Sequence, residues 1–112
     1  MFLVFASIFV FRVRGTRIEH AQLLLDESMI MVGSTDRSEF GVLNTCPHHI
    51  EGRVTSSLYV VVTDVAGHYE AATRLGAEVV IDLKMEDYGG ASYTCRDIEG
   101  HIWTFGTYDP FA

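Results

Sequence analysis

Basic residues are scarce in this chain: 8 Lys and Arg stand against 15 Asp and Glu, a formal net charge of −7. No Lys/Arg cluster is present, and an acidic chain is repelled by phosphate backbones and by anionic membranes, so neither nucleic acid nor membrane is an expected partner. Cysteine is scarce too. Cys46 and Cys95 are far apart, with no CxxC pair and no Cys/His ligand spacing, which excludes a disulfide framework and fits a reducing, cytoplasmic setting. The sequence has no GxSxG, no phosphate-binding GxxxxGK and no dinucleotide fingerprint, so those catalytic classes drop out and no catalytic residue is assigned. A long hydrophobic run is also missing. The nearest approach, Met1 to Phe11, is shorter than the roughly 20 residues that cross a bilayer. It has no basic leader or small-residue cleavage site, and Arg12, Arg14 and Arg17 follow it, so it reads as a buried strand or helix rather than a signal peptide.

What remains is enough for one domain. The chain has 112 residues, 48% of them apolar, which suits a modest single core and argues against disorder. The second half is the easier to read. Ser57 to Thr63 is β-branched and aromatic and predicts a strand. Asp64 is a good helix N-cap. Val65, Tyr69, Ala72 and Leu75 recur at helical spacing, and Gly76 stops the pattern, giving a helix from about Val65 to Leu75. Ala77 to Leu83 and Ser92 to Arg96 predict strands, separated by a polar loop that ends in Gly89-Gly90. Asp97 to Gly100 is a turn, and His101 to Tyr108 a last strand. The order is β-α-β-β-β.

The first half repeats this order incompletely. Arg17 to Leu25 and Met29 to Val32 predict a hairpin around Asp26-Glu27-Ser28, and Phe11 to Arg14 a further short strand. Phe2 to Val10 stands where the other half has its helix, and no opening strand precedes it. Residues 34–56, polar and containing Pro47, read as a connection. The expected organisation is a half-module over 1–33, a linker over 34–56 and a complete module over 57–112, all within one structural domain. An internal repeat of this kind predicts an α+β fold whose curved mixed sheet surrounds a cleft.

The segment YGGASYTCRDIEGHIWTFGTYDP, Tyr88 to Pro110, resembles the closing segment of vicinal-oxygen-chelate proteins, the glyoxalase, bleomycin-resistance and dioxygenase superfamily. There a YGG loop leads to a strand, a D-P-x-G-H-x-W turn and a final strand; Ile98 stands at the proline position. SLYVVVTDVAGHYEAATRLGAEVV resembles the opening strand and helix of that family's second module, and HAQLLLDESMIMVGS the hairpin of its first. The resemblance covers about Arg12 to Pro110. It implies two β-α-β-β-β modules, often completed by homodimer pairing, and a fold that hosts isomerases, dioxygenases, thiol transferases and metal-free drug binders.

The same resemblance implies one divalent ion held by His, Glu or Gln on the opening and closing strands of each module. The matching places here are poor in ligands. The first opening strand is not recognisable, Met29 to Val32 has no ionisable residue, Ser57 or Leu58 occupies the second opening strand, and Thr104 stands where a Glu belongs. The expectation is therefore no metal and no other cofactor. Among the histidines, His48 and His49 read as surface loop residues, His68 as a solvent-facing helix residue, His101 as a structural hydrogen-bonder, and His20 as a core or rim residue able to face the cleft.

Strand alternation assigns the faces. Trp103 and Phe105 are expected under the helix, leaving Ile102, Thr104 and Gly106 on the cleft side. If the Asp97–Gly100 turn pairs Arg96 with His101, Tyr93 faces Thr104 and Cys95 faces Ile102. Tyr59 and Val61 point inward by the same count. The expected ligand-binding set is Tyr59, Tyr93, Cys95 and Thr104, with His20, and Tyr88 with Gly89-Gly90 as a lip. Aromatic walls with a few hydroxyls suit a flat organic ligand; the same tyrosines would equally fill a small core. Three functions stay open: a metal-independent small-molecule binder, a metal-dependent lyase, isomerase or dioxygenase, and a truncated copy without activity.

Overall fold

The structure, a computed structural model, describes residues 7–14, 17–25, 28–33, 35 and 39–112, with side chains from Ala21 onward. The chain divides into two compact units, and along the sequence one ends at Cys46 and the other resumes at Pro47.

The first unit is a three-stranded antiparallel sheet in the order β1-β2-β3. Its strands are β1 (Ser7–Arg14), β2 (Arg17–Leu25) and β3 (Ser28–Gly33). β2 and β3 form the expected hairpin, with Leu25 paired to Ser28 and His20 to Gly33. The described part of the apolar run is strand, the first of the two readings left open for it, although Phe2 to Val10 stands where the other half has its helix. Ile8, Phe9, Val10 and Phe11 are β-branched or aromatic, types that favour a pleated backbone, and β1 pairs along β2 with irregular steps between Val10 and Val13. Residues 2–6 lie outside the described part. Ala21 and Leu23, alternate residues of β2, are buried.

The second unit has the predicted β-α-β-β-β order: β4 (Leu58–Val61), α1 (Val65–Arg74), β5 (Glu78–Met85), β6 (Ala91–Arg96) and β7 (Ile102–Gly106). A short 3-10 turn, Pro47–Ile50, precedes them. The sheet order is β4-β7-β6-β5, with β4 parallel to β7 and the other pairs antiparallel. The unit is therefore α+β around an open, mixed, four-stranded sheet. β5, β6 and β7 form an antiparallel meander, as do β1, β2 and β3.

Local chemistry sets the ends of α1. The Asp64 carboxylate accepts the Gly67 N–H at 3.0 Å. A Cβ on residue 67 would lie 2.3 Å from that carboxylate, so glycine is required beside the cap. At the other end Gly76 turns the chain at φ +91°, and the Gly76 and Ala77 N–H groups bond the Thr73 and Ala72 carbonyls. Val65 and Ala72 are buried, but Leu75 is 62% exposed because the helix ends just before it. The face turned to the sheet continues through His68 and Tyr69, both half-buried, and Tyr69 meets the Tyr93 ring edge to face. His68 faces the sheet rather than solvent: its Nδ1 shares a 2.6 Å hydrogen bond with the Tyr93 hydroxyl, and its ring lies 4.2 Å from that of Phe105.

The β6–β7 register differs from the expected one by one residue. Arg96 pairs with Ile102, not His101, so Tyr93 opposes Phe105 and Cys95 opposes Trp103. The cause is the loop. The Gly100 N–H bonds the Asp97 carbonyl as in a four-residue turn, but Gly100 then sits at φ +94° and adds a bulge, closing the loop with an Asp97 N–H to His101 carbonyl bond. Tyr93, Cys95, Trp103 and Phe105 consequently share one face and form the core beneath α1.

Candidate functional site

The register divides the expected site residues between two faces. Tyr59 pairs with Thr104 in the parallel β4–β7 ladder, and Thr104 with Thr94 in β6, so these three side chains share the face opposite α1. Tyr93 and Cys95 belong to the other face. Both are fully buried, and Tyr93 is held by His68. Burial raises the Tyr93 phenol far above its ordinary range, with Cys95 and Tyr69 adding to the shift. Burial, then the Asp97 carboxylate, pushes the Cys95 thiol up to about 11, so it is a neutral packing group at physiological pH. Their placement corrects the expectation that they line a cleft. The side chain of His20 lies outside the described residues.

The face opposite α1, open in the sense that α1 does not cover it, is built from hydroxyls, of which Ser92 and Thr94 are buried and Thr104 is half-buried. Thr94 and Thr104 Oγ atoms lie 2.8 Å apart. One hydroxyl donates to the other, which leaves one O–H of the pair still able to donate. Ser92, one step along β6, donates to Glu86 at 2.6 Å. Tyr59 lies along β7 with its hydroxyl donating to the Tyr108 carbonyl at 2.8 Å. That course needs Gly106, since a Cβ there would stand 2.7 Å from the Tyr59 oxygen and 3.0 Å from the Ser92 Cβ. Partial burial, followed by the Tyr88 phenol, holds the Tyr59 phenol above its ordinary range, so it stays protonated and its oxygen remains an acceptor. Thr94 and Tyr108 escaped the sequence reading because the wrong register hid Thr94 and because Tyr108 contributes through its backbone.

The Asp97–Trp103 motif is structural. Asp97 Oδ1 accepts the Glu99 and His101 N–H groups at 2.9 Å each, and Oδ2 accepts the buried Trp103 indole N–H at 2.8 Å. His101 takes part through its backbone, and its side chain is exposed, not the hydrogen-bonding ring expected. His48 and His49 are exposed, as surface residues. At this end of the unit, His48, Gly76, Glu78, Arg96, Asp97, Ile98 and Gly100 line a shallow depression of about 370 Å³. It has no aromatic wall, and its Arg96 guanidinium is paired with Glu78.

Solved structures share this fold. TioX from Micromonospora sp. ML1 is 26% identical, with a TM-score of 0.59, over 88% of this chain and 77% of TioX. A member of the glyoxalase/bleomycin resistance protein/dioxygenase superfamily from Sphaerobacter thermophilus is 13% identical, with a TM-score of 0.58, over 88% and 73%. The fosfomycin resistance protein FosX from Listeria monocytogenes, in complex with Mn(II) and 1S,2S-dihydroxypropylphosphonic acid, is 14% identical, with a TM-score of 0.54, over 81% and 64%. The chain has the vicinal-oxygen-chelate fold. No family model and no curated protein matches the sequence.

The resemblance would put metal ligands of the second module at Ser57 or Leu58 and at Thr104, places that hold no imidazole or carboxylate. Leu58 is apolar, Ser57 precedes the strand, and the Thr104 hydroxyl is engaged by Thr94. Among the described residues, no three His, Cys, Asp or Glu side chains converge to hold an ion, and no helix is long and apolar enough to cross a membrane.

Proposed function

We propose that this chain is a metal-independent small-molecule binder of the glyoxalase and bleomycin-resistance type, holding a flat organic ligand on the open face of the second unit's sheet. The observation that carries the reading is the Thr94–Thr104 hydroxyl pair beside Tyr59, at a place where the resemblance would put a metal ligand. The remaining O–H of the threonine pair donates to a ligand carbonyl, the Tyr59 oxygen accepts from a ligand N–H or O–H, and the Tyr59 ring offers a stacking surface. Ligand recognition then uses hydrogen bonds in place of coordination to a metal ion. His20 on β2 stays a candidate contributor, and the reading includes a cytoplasmic homodimer.

The test is a titration of chelator-treated protein with metal-free bleomycin and with planar aromatic amides, followed by tyrosine fluorescence. Saturable binding is expected, weakened about fivefold or more by Thr104→Val and by Tyr59→Leu, in line with about 1 kcal/mol for a lost hydrogen bond or stacking contact. Equal binding by both variants would remove the open face from the account. The Mn(II) in FosX supports a second reading, a metal-dependent lyase, isomerase or dioxygenase with ligands from His20, His48, His49 or a second chain. Metal analysis of the protein and of its single His→Ala variants tests it; no loss of metal in any variant ends it.

A further inference from the structure

We propose that the corner formed by Tyr88 and Tyr108, with Tyr59 beside it, binds an alkylated ammonium group. The Tyr88 and Tyr108 rings meet edge to face, with centroids 5.4 Å apart and planes at 82°, so two π faces stand at nearly a right angle. Tyr59 joins them through its hydrogen bond to the Tyr108 carbonyl. Tyr59, Tyr88 and Tyr108 are 42%, 55% and 42% exposed, so a solute can reach all three residues. A cation over such faces is attracted by the ring quadrupoles, and alkylation strips the hydration that holds a bare ammonium in water.

Charge selects the same class of ligand. Burial first, then the phenols of Tyr88 and Tyr108 and the Asp109 carboxylate, raise the Tyr59 phenol, which places negative charge beside the corner. Asp87 adjoins Tyr88 in sequence, and the chain carries a net −7, so a cation is drawn in and an anion is not.

The corner is held in advance. Gly89 and Gly90 turn the chain at φ +119° and +74°. A Cβ on Gly90 would stand 2.5 Å from Thr107 Oγ1 and 3.0 Å from the Tyr108 nitrogen, so only glycine lets the Tyr88 loop lie this close to the Tyr108 strand end. The Ala91 N–H to Thr107 Oγ1 bond and the Thr107 N–H to Ala91 carbonyl bond, both 3.0 Å, pin the two segments together. Little ordering is left for binding to oppose. The corner shares Tyr59 with the site above and otherwise stands on its own geometry.

The experiment uses the whole protein, with tetramethylammonium chloride as probe and tert-butanol as its neutral counterpart at matched ionic strength, read on the tyrosine ring resonances. Tetramethylammonium should shift Tyr88 and Tyr108 saturably, with tert-butanol at least threefold weaker. Tyr88→Phe, which keeps the π face, should stay within about twofold of the parent, whereas Tyr88→Leu should weaken binding about threefold or more. Equal responses to the two probes, no shift at these rings, or a Tyr88→Leu variant that binds like the parent would overturn the inference. Binding of a planar aromatic amide at Thr104 without any tetramethylammonium response sinks this corner and leaves the proposed function standing. The reverse pattern sinks the proposed function and leaves the corner.

Discussion

Asp97 shows how one side chain can hold a whole hairpin. It is buried and its carboxylate receives three N–H groups, one of them the Trp103 indole. Removing it leaves those donors without a partner in the interior, where each costs of the order of 1–3 kcal/mol. Asp97→Ala should therefore destabilise the fold by about 3 kcal/mol, read as a lowered urea midpoint at unchanged slope. Asp97→Asn should recover part of this; a loss below about 1 kcal/mol for the alanine variant would contradict the assigned role. Cys95 provides a pH test. Its folded pKa of about 11 exceeds the ordinary 9.0, so its contribution to stability is complete below pH 9 and is lost as the pH rises through about 11. The raised phenols of Tyr59, Tyr69 and Tyr93 act in the same direction. Stability should fall on the alkaline side, and under native conditions at pH 8 a thiol reagent should leave Cys95 unmodified. Rapid native labelling of Cys95 would show that its pocket opens.

At the scale of elements, the second half was readable because its signals are local. Asp64 caps a helix, Gly76 ends it, and β-branched runs fix the strands on either side. Register was not readable, because it turned on one backbone fact: Gly100 adopts a positive φ and inserts a bulge that the four-residue turn did not contain. One residue of slip moves every side chain of a strand to the other face. Tyr93 and Cys95 thus entered the core, while Tyr59 and Thr104, whose positions rest on the β4–β7 pairing, kept their common face. The apolar run at the start was left between strand and helix for a different reason: an unbroken hydrophobic run has no period by which to choose between them. Gly106 tests the open-face arrangement as an element. Gly106→Val places a side chain against Tyr59 and Ser92 and should cost about 1–3 kcal/mol while displacing the Tyr59 ring. Unchanged stability together with an unchanged Tyr59 ring environment would count against the packing described.

For the whole molecule, a vicinal-oxygen-chelate fold is joined to a sheet face that offers hydroxyls and an aromatic ring where the resemblance would put imidazole or carboxylate ligands. The excess of acidic residues adds a bias toward neutral or cationic ligands. The most direct test is to record the Thr94, Thr104 and Tyr59 resonances of chelator-treated protein during titration with metal-free bleomycin, first without and then with one equivalent of Mn(II). The account predicts that the ligand shifts these three residues without metal, and that Mn(II) neither broadens them nor tightens binding. Stoichiometric broadening of Thr104 by Mn(II), with ligand binding only in its presence, would contradict it.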